Sequence, residues 1–344
     1  MSETILRVEQ LNKFFTDGKT TIRAVSNVSF TVNQGETIGI VGESGCGKTT
    51  LGRCIVKAYT PTSGDVWYTA ANGKEYNFHT ADKAAAQAMR KEVQLIFQDP
   101  YSSLDPRMTV YEILCEPLRA NYPKMKKEEM ERLVQNMAQR VGLNPSYLKR
   151  YPHAFSGGQR QRIGIARALL LKPRIVVCDE AVSALDVSVQ AQVLSLLREL
   201  QADLGLTYLF ISHDLSVIEY LSDKVGVMYL GQMVEYSPAR ELYIHPLHPY
   251  TEALLSAVLV ADPKAQHRRI ELQGEVPNPA NPPSECFFHP RCCYCQKRCR
   301  EEMPRQREIS PGRLVACHRA EELQLQGIIP AGKKEAAEAR PLSS

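Results

Sequence analysis

The chain has 344 residues, of which 44% are hydrophobic and 23% charged, and its formal net charge is +4. This composition is typical of a soluble globular protein of about two domains, and the charge is too small to indicate a nucleic-acid partner. The longest nearly apolar run, about 253–261, is shorter than the ~20 residues that cross a bilayer. Residues 1–4 lack the features of a secretion signal, so we expect a cytoplasmic protein that meets membranes through partners.

Short strands are predicted along most of the chain. Apolar and polar residues alternate over 4–9 and 22–32, which indicates antiparallel strands with one solvent-exposed face. A buried strand at 37–41 leads into a helix from Thr49 to about Lys57. Asn72-Gly73 predicts a hairpin turn. Further strands are predicted at 66–69, 93–97, 174–178, 207–211, 224–229 and 232–235.

Helical periodicity separates several of these strands. From Asp99 to about Lys172 apolar residues recur three and four positions apart, and a further helix is predicted at about 187–203. Strands joined by crossover helices indicate a parallel sheet, so we predict an α/β fold with an inserted helical subdomain at about 99–172. The composition shifts to proline and cysteine after His245. We therefore expect a main domain at 1–245, a small cysteine-rich module at 246–325 and a disordered tail at 326–344.

A glycine-rich loop between a predicted strand and a predicted helix matches the pattern GxxxxGKT. Its residues are Gly42, Glu43, Ser44, Gly45, Cys46, Gly47, Lys48 and Thr49, followed by Thr50. Such a loop turns its backbone N–H groups toward phosphate oxygens at a helix N-terminus. Lys48 can reach the β- and γ-phosphates, and the Thr49 hydroxyl can bind magnesium. The sequence therefore predicts an ATP site here, the alternative being a fortuitous glycine turn.

An apolar strand at 175–178 ends in two carboxylates, Asp179 and Glu180. Asp179 can hold magnesium, and Glu180 can accept a proton from, or orient, an attacking water molecule. Without the glycine loop, an acidic turn at the end of a strand would be the simpler interpretation.

A second anion-binding sequence is Ser156-Gly157-Gly158-Gln159. Ser156 is a good helix cap, and the glycines leave backbone N–H groups open at a helix N-terminus. One nucleotide needs only one phosphate cradle, so we expect this sequence to serve a different nucleotide from the first loop. An ordinary capped helix is the alternative.

These three motifs, in this order, resemble the ATP-binding subunit of an ABC transporter over residues 4 to about 245. The resemblance implies a P-loop ABC ATPase core with an antiparallel β subdomain. It also implies that Gln98 is the Q-loop glutamine, His213 the switch histidine and Asp186 the D-loop aspartate, and that Phe15 stacks on adenine. By the same resemblance Glu180, His213 and Gln98 are catalytic, and Thr49, Gln98 and Asp179 bind magnesium.

The resemblance further implies a mechanism. Two such domains would close head-to-tail over two ATP molecules, each held between the loop at 42–49 of one subunit and Ser156–Gln159 of the other. Members of the family usually have proline after the catalytic glutamate, whereas this chain has Ala181. Alanine should keep the chemistry possible while leaving the loop looser.

The C-terminal region is similar to the oligopeptide/dipeptide and nickel importer subfamily, through His245–Thr251 and Asn281–Pro283. Among the paired ATPases of such importers it most resembles the second, F-type subunit. This implies a homologous ATPase partner, with a heterodimer expected, and two transmembrane permease subunits. It also implies an indirect partnership with an extracytoplasmic peptide-binding protein, and a peripheral position on the cytoplasmic side of the inner membrane.

Of the ten cysteines, six lie between Cys286 and Cys317. The spacing of Cys286, Cys292, Cys299 and Cys317 is similar to that of subfamily members with a [4Fe–4S] cluster, whose ligands are four thiolates. Cys293 and Cys295 make the assignment ambiguous. Zinc, which also accepts four cysteines, and unliganded thiols remain as alternatives.

The predicted function is thus that of an ATP-hydrolysing, energy-coupling subunit of a di- or oligopeptide importer. The rival from another class is a soluble ABC-type ATPase that acts on nucleic acid or ribosomes. Such proteins usually carry two cassettes or a long coiled coil, and this sequence shows neither. An importer of nickel or another solute, and an exporter, are nearer alternatives.

Overall fold

The computed structural model describes residues 3–18, 20–99, 101, 103–258 and 269–328. The strands are β1 (Thr4–Asp17), β2 (Thr20–Asn33), β3 (Thr37–Val41), β4 (Ser63–Thr69), β5 (Glu75–Asn77), β6 (Val93–Ile96), β7 (Ile175–Asp179), β8 (Thr207–Ile211), β9 (Lys224–Tyr229), β10 (Gln232–Pro238), β11 (Arg307–Ser310) and β12 (Arg313–Val315). The helices are α1 (Lys48–Ile55), α2 (Lys83–Glu92), α3 (Val110–Asn121), α4 (Lys127–Arg140), α5 (Gly157–Leu169), α6 (Val187–Leu204), α7 (Leu215–Leu221), α8 (Ala239–Ile244), α9 (Pro249–Leu255) and α10 (Lys297–Glu301).

One sheet is antiparallel, with the strand order β2-β1-β4-β5. The predicted turn at Asn72-Gly73 joins β4 to β5, with Gly73 in a left-handed conformation (φ 75°). Strands β1 and β2 are longer than the sequence predicts, and they pair as far as Asp17 with Thr20. The ends of the β1–β2 hairpin are exposed on both faces. Apolar and polar residues therefore do not alternate at these ends, and the sequence pattern does not reveal them.

The larger sheet has the order β11-β12-β10-β9-β3-β8-β7-β6. Strands β9, β3, β8, β7 and β6 are parallel, and every residue of β3, β7 and β8 is buried. Burial on both faces explains their continuous apolar sequences. Because parallel strands end at the same edge, the loops after β3, β6, β7 and β8 meet at one edge of the sheet. These loops carry the predicted nucleotide-site residues.

The predicted helical region contains α3, α4 and α5, which pack on one another. Thr109 begins α3 with a capping box, in which its hydroxyl accepts the Glu112 N–H and the Glu112 side chain accepts the Thr109 N–H. Helix α2 was not predicted from the sequence. It is short and buries only Ala86 and Met89, so it has few large apolar residues to mark it.

The C-terminal region completes the larger sheet. Strand β12 pairs with β10 through Glu235–Val315 and Tyr236–Leu314, and β11 pairs with β12. Short pairings of this kind leave little sequence signal, and neither strand was predicted. In the predicted tail, the N–H of Ile328 donates to the carbonyl oxygen of Tyr243 at 2.7 Å. The rest of that tail, residues 329–344, lies outside the described residues.

Candidate nucleotide site

The glycine loop leaves the end of β3 through backbone conformations that favour glycine. Gly42, Gly45 and Gly47 have φ values of 149°, 77° and 104°. A Cβ atom at Gly42 would lie 2.2 Å from the carbonyl oxygen of Met228, and one at Gly47 would lie 1.9 Å from that of Ala24. The loop therefore fits between β9 and β2 only because these positions lack side chains.

Lys48 begins α1 and is buried within the loop. Its Nζ donates to the carbonyl oxygens of Gly42 (2.8 Å) and Glu43 (2.9 Å). The residue before the helix, Gly47, offers no side-chain acceptor to the first N–H groups of α1. Those N–H groups and the Lys48 ammonium are the kinds of donor that hold a phosphate.

Thr49 joins this loop to the end of β7. Its hydroxyl donates to Asp179 Oδ1 at 2.9 Å, and Asp179 is only 5% exposed. Burial raises the pKa of Asp179, and the hydrogen bond from Thr49 opposes that shift. A buried carboxylate beside a hydroxyl is a donor set that suits Mg²⁺. Thr49 and Asp179, two of the three residues predicted to bind magnesium, are therefore in contact.

Glu180 follows with φ 48°, a left-handed conformation that is uncommon outside glycine. Its N–H donates to the carbonyl oxygen of Ile211 at 2.9 Å, and its own carbonyl accepts hydrogen bonds from the N–H and hydroxyl of Ser183. The carboxylate accepts a hydrogen bond from Gln98 Nε2 at 2.7 Å and lies 3.4 Å from His213 Nδ1. The three predicted catalytic side chains thus meet at one carboxylate.

The Ser156–Gln159 sequence forms the start of α5. The Ser156 hydroxyl accepts the Gln159 N–H at 3.3 Å, and the Gln159 side chain accepts the Ser156 N–H at 3.0 Å. A Cβ atom at Gly158 would lie 2.3 Å from Val189 Cγ1. The N–H of Val189 donates to the carboxylate of Asp186, which caps α6 and whose pKa this bond lowers. The predicted signature and D-loop are therefore neighbours.

Phe15, the predicted adenine-stacking residue, is 37% exposed on β1. Its ring packs edge-on against Tyr59 at 5.5 Å, and Lys13 Nζ lies 4.9 Å from the ring centre. The ring is thus held by two neighbours and is still partly open to solvent, where a base could reach it.

The four cysteines with the predicted cluster spacing come together. Cys286, Cys292, Cys299 and Cys317 line one cavity of about 20 Å³, whereas Cys293 is exposed and does not line it. Burial raises the pKa of Cys286 and Cys292 to about 12, and the neighbouring cysteines add to the shift. Within the described ranges, no three His, Cys, Asp or Glu side chains are arranged to hold a metal ion, so the structure does not confirm the predicted cluster.

Two contacts to the glycine loop were absent from the sequence analysis. Arg291 forms an ion pair with Glu43, and Tyr250 accepts the Glu43 N–H. Both partners lie in the C-terminal region, more than 200 residues from the loop in sequence. No local pattern could reveal them, although Tyr250 belongs to the His245–Thr251 sequence on which the resemblance to peptide importers partly depends.

Two sequence families match the chain, one described as ABC transporter over residues 25–183 and one described as oligopeptide/dipeptide transporter, C-terminal region, over residues 234–299. The oligopeptide transport ATP-binding protein AppF of Bacillus subtilis is 48% identical over 92% of this chain and 97% of its own length. The dipeptide transport ATP-binding protein DppF of Haemophilus influenzae is 48% identical over 86% of this chain and 89% of its own.

Among solved structures, the dimeric ATP-binding cassette MJ0796 in a post-hydrolysis state with ADP and Pi superposes with a TM-score of 0.61 at 27% identity. The match covers 68% of this chain and 99% of that one. No helix in the part of the chain that the structure describes is long and apolar enough to span a bilayer.

The fold and the loop at 42–49 define an ABC-type ATPase, which uses ATP and Mg²⁺. More narrowly, the chain belongs to the family of ATP-binding subunits of ABC transporters that carry the oligopeptide/dipeptide transporter C-terminal region.

Proposed function

We propose that this chain hydrolyses ATP at the loop formed by residues 42–49 to drive the uptake of di- or oligopeptides across the cytoplasmic membrane. The meeting of Gln98, Glu180 and His213 at one carboxylate, on the sheet edge that carries the loop, supports this most strongly. The names of AppF and DppF support peptide as the transported solute. Nickel or another solute would require different partner subunits and remains an outcome of the test below.

In the proposed reaction, the backbone N–H groups of the loop and Lys48 hold the β- and γ-phosphates. Thr49 and Asp179, with Gln98, would hold Mg²⁺, which would supply neutralisation of charge on the transferred phosphoryl group. Glu180 orients the attacking water and accepts its proton, while His213 supports the terminal phosphate. Catalysis is then mainly positioning and charge stabilisation.

We propose that Ser156–Gln159 completes the nucleotide site of a facing ATPase subunit. Within its own chain this turn contacts Val189, and its capping box leaves the N–H groups of the glycines at a helix N-terminus. The dimeric state of MJ0796 supports this arrangement. The names AppF and DppF both end in F, which supports an F-type role for this chain, and we propose that the facing subunit is a homologous ATPase in a heterodimer.

A cleft of about 1120 Å³ between α2, β6, α3 and α5 supports docking of the membrane subunits beside Gln98. Phe97, which lines this cleft, is 45% exposed although it directly follows a core strand. We propose that a helix from one of the two permease subunits binds here, which would place the chain peripherally on the cytoplasmic face. An extracytoplasmic peptide-binding protein would supply the solute.

We also propose that Cys286, Cys292, Cys299 and Cys317 hold a [4Fe–4S] cluster, with zinc as the alternative metal. The four side chains that the spacing selects are those that line one cavity, so the donor set fits a thiolate-bound centre. The cavity has room for about one water molecule. Binding a cluster would therefore require this cavity to widen, and the cluster would hold the thiols in their ionised form.

Purification of the chain from its native membrane tests the function. Two multi-span membrane proteins and a second ATPase should co-purify, and vesicles containing the complex should accumulate a labelled dipeptide only with ATP and the binding protein. Co-purification with ribosomes or nucleic acid, without membrane subunits, would favour the soluble ATPase. Uptake of nickel in place of peptide would overturn the substrate assignment while leaving the ATPase role in place.

A further inference from the structure

Glu43, the second residue of the glycine loop, forms a two-pronged ion pair with Arg291. Arg291 Nη1 donates to Glu43 Oε2 at 2.8 Å, and Nη2 donates to Oε1 at 3.1 Å. The side chain of Arg291 is only 7% exposed, and that of Glu43 is 26% exposed. A paired, largely buried contact of this geometry fixes both distance and orientation.

The backbone of Glu43 is held as well. Its N–H donates to the hydroxyl of Tyr250 at 2.8 Å. Tyr250 is fully buried, and its ring lies 4.7 Å from Tyr229 and 5.4 Å from Phe288. Because packing fixes the ring, the hydroxyl is a rigid acceptor for the loop.

The carbonyl oxygen of Glu43 accepts a hydrogen bond from Lys48 Nζ at 2.9 Å. Each polar group of Glu43 therefore has a partner, and two of these partners, Arg291 and Tyr250, come from the C-terminal region. The other two belong to the loop and the start of α1, since the Cys46 N–H also donates to the Glu43 carbonyl oxygen at 3.3 Å. Lys48 is the side chain that we assign to the β- and γ-phosphates, so Glu43 helps to hold the resting Lys48 in place.

Stability alone is a weak explanation for this ion pair. Removing Arg291 from water costs free energy that its attraction to Glu43 only roughly offsets, so such pairs are often replaceable by apolar side chains. Their better-supported contribution is to fix a single geometry. At this place the geometry is that of a loop in which several other backbone N–H groups must face one anion.

We propose that Arg291 is a positioning residue of the nucleotide site, which together with Tyr250 holds the loop at 42–49 in its phosphate-receiving shape. The proposal rests on the phosphate-binding role assigned to that loop above. It makes the C-terminal region a structural part of the ATP site. Arg291 lies in the short 3₁₀ turn His289–Arg291 and directly precedes Cys292, so the cysteine cavity and the loop share one support.

The test compares the full-length chain with the variants Arg291→Met, Glu43→Gln, their double combination and Tyr250→Phe. Affinity for a fluorescent ATP analogue with Mg²⁺, and the KM and kcat for ATP, are measured for each. We expect Arg291→Met to weaken nucleotide binding about tenfold and Tyr250→Phe about threefold, with KM changing more than kcat. The double variant should bind nucleotide no more weakly than whichever of Arg291→Met and Glu43→Gln binds it less well, since both changes remove the same contact.

Arg298→Met is the matched control. Arg298 belongs to the same region, is 64% exposed and pairs with Glu302, away from the loop. The substitution Arg298→Met should leave nucleotide affinity unchanged. If Arg291→Met fails to fold, the other two variants still test the proposal. Glu43→Gln alters the ion pair from the loop side, and Tyr250→Phe removes only the hydroxyl that accepts the Glu43 N–H.

Unchanged affinity in folded Arg291→Met and Tyr250→Phe would overturn the proposal, and so would additive losses in the double variant. A lower Tm with normal KM would likewise show that Arg291 only stabilises the fold. Lys48→Ala separates this outcome from failure of the assigned phosphate site. If Lys48→Ala abolishes nucleotide binding while the Arg291 and Tyr250 variants bind normally, only the positioning role is wrong. Normal nucleotide binding by Lys48→Ala would instead contradict the assignment of the phosphate site itself.

Discussion

Gln98 Nε2 donates a 2.7 Å hydrogen bond to Glu180 Oε2, which joins the loop after β6 to the loop after β7. The resemblance to ABC transporter subunits implies that Gln98 both binds magnesium and takes part in catalysis. In this arrangement Gln98 engages the carboxylate, while Thr49 and Asp179 contact each other. Magnesium would bind the amide oxygen Oε1, whereas the bond to Glu180 uses the amide nitrogen Nε2, so Gln98 could make both contacts at once. The two predicted roles of Gln98 are therefore compatible.

Glu180→Gln tests the role of that carboxylate. Glutamine keeps the size of the side chain and can still contact Gln98, but it cannot accept a proton at neutral pH. We expect ATP turnover to fall roughly 10²–10⁴-fold while ATP binding is retained. Phosphate release and nucleotide affinity, measured on the same preparation, check both parts. Hydrolysis close to the wild-type rate would remove Glu180 as the base.

Gly47→Ala tests the fit of the loop between β2 and β9. A methyl group there would lie 1.9 Å from the carbonyl oxygen of Ala24, at a φ of 104°. We expect loss of about 2–4 kcal/mol of stability from strain and backbone displacement, measured by denaturant unfolding without nucleotide.

Gly45→Ala is the matched control for that change. Gly45 also has a positive φ, of 77°, but a Cβ atom there would have no atom within 4 Å. Its substitution should cost about 1 kcal/mol, from the left-handed conformation alone. Equal losses at the two positions would show that the close contact at Gly47 is unimportant.

The pH dependence of stability should report on Glu235. Its buried carboxylate accepts the N–H groups of Leu247 and His248, yet burial outweighs these bonds and raises its pKa from 4.5 to about 7. The folded state therefore binds this proton more tightly than the unfolded chain. The contribution of this proton to the free energy of unfolding is therefore fully present below pH 4.5 and is lost as the pH rises through about 7.

Glu235→Gln removes this titration. Buried His248 contributes in the opposite direction, since burial lowers its pKa from 6.5 to about 3 and its contribution grows as the pH rises. We therefore expect the free energy of unfolding of the wild type, relative to that of Glu235→Gln, to fall by on the order of 3 kcal/mol between pH 4.5 and 7. Denaturant unfolding at several pH values measures the effect. The exposed Glu301→Gln should leave the profile unchanged. An unaltered profile in Glu235→Gln would show that this carboxylate does not titrate in that range.

The metal proposal predicts a difference between adjacent cysteines. Chain purified without oxygen should contain iron and a visible absorption band, and Cys292→Ser should lose both because it removes a ligand. Cys293→Ser should retain them, since Cys293 is exposed and does not line the cavity. Zinc without visible absorption would favour the alternative metal. Loss of metal in Cys293→Ser alone would contradict the assignment.

Local sequence was sufficient to predict much of the core. Strands buried on both faces, such as β3, β7 and β8, have short continuous apolar runs, and helices such as α6 have regular periodicity. The topology then explains why Asp179, His213 and Gln98 converge, since parallel strands end at one edge. The resemblance to the family supplied the roles of individual residues, which periodicity cannot provide.

Contacts between distant segments could not be predicted in this way. Arg291 and Glu43 are 248 residues apart, and neither has a neighbour in sequence that marks the pair. The short strands β11 and β12 likewise depend on pairing with β10 and lack a periodic pattern of their own. Each of these features exists because the tertiary fold brings two segments together.

The pairing of β12 with β10 has a consequence for any shortened form of the protein. Residues Glu235 and Tyr236 pair with Val315 and Leu314 of the C-terminal hairpin, which covers that side of the larger sheet. A chain cut near His245 would present the outer side of β10 as a bare row of N–H and C=O groups, open to self-association. Removal of the C-terminal region should therefore yield aggregates rather than a free, minimal ATPase.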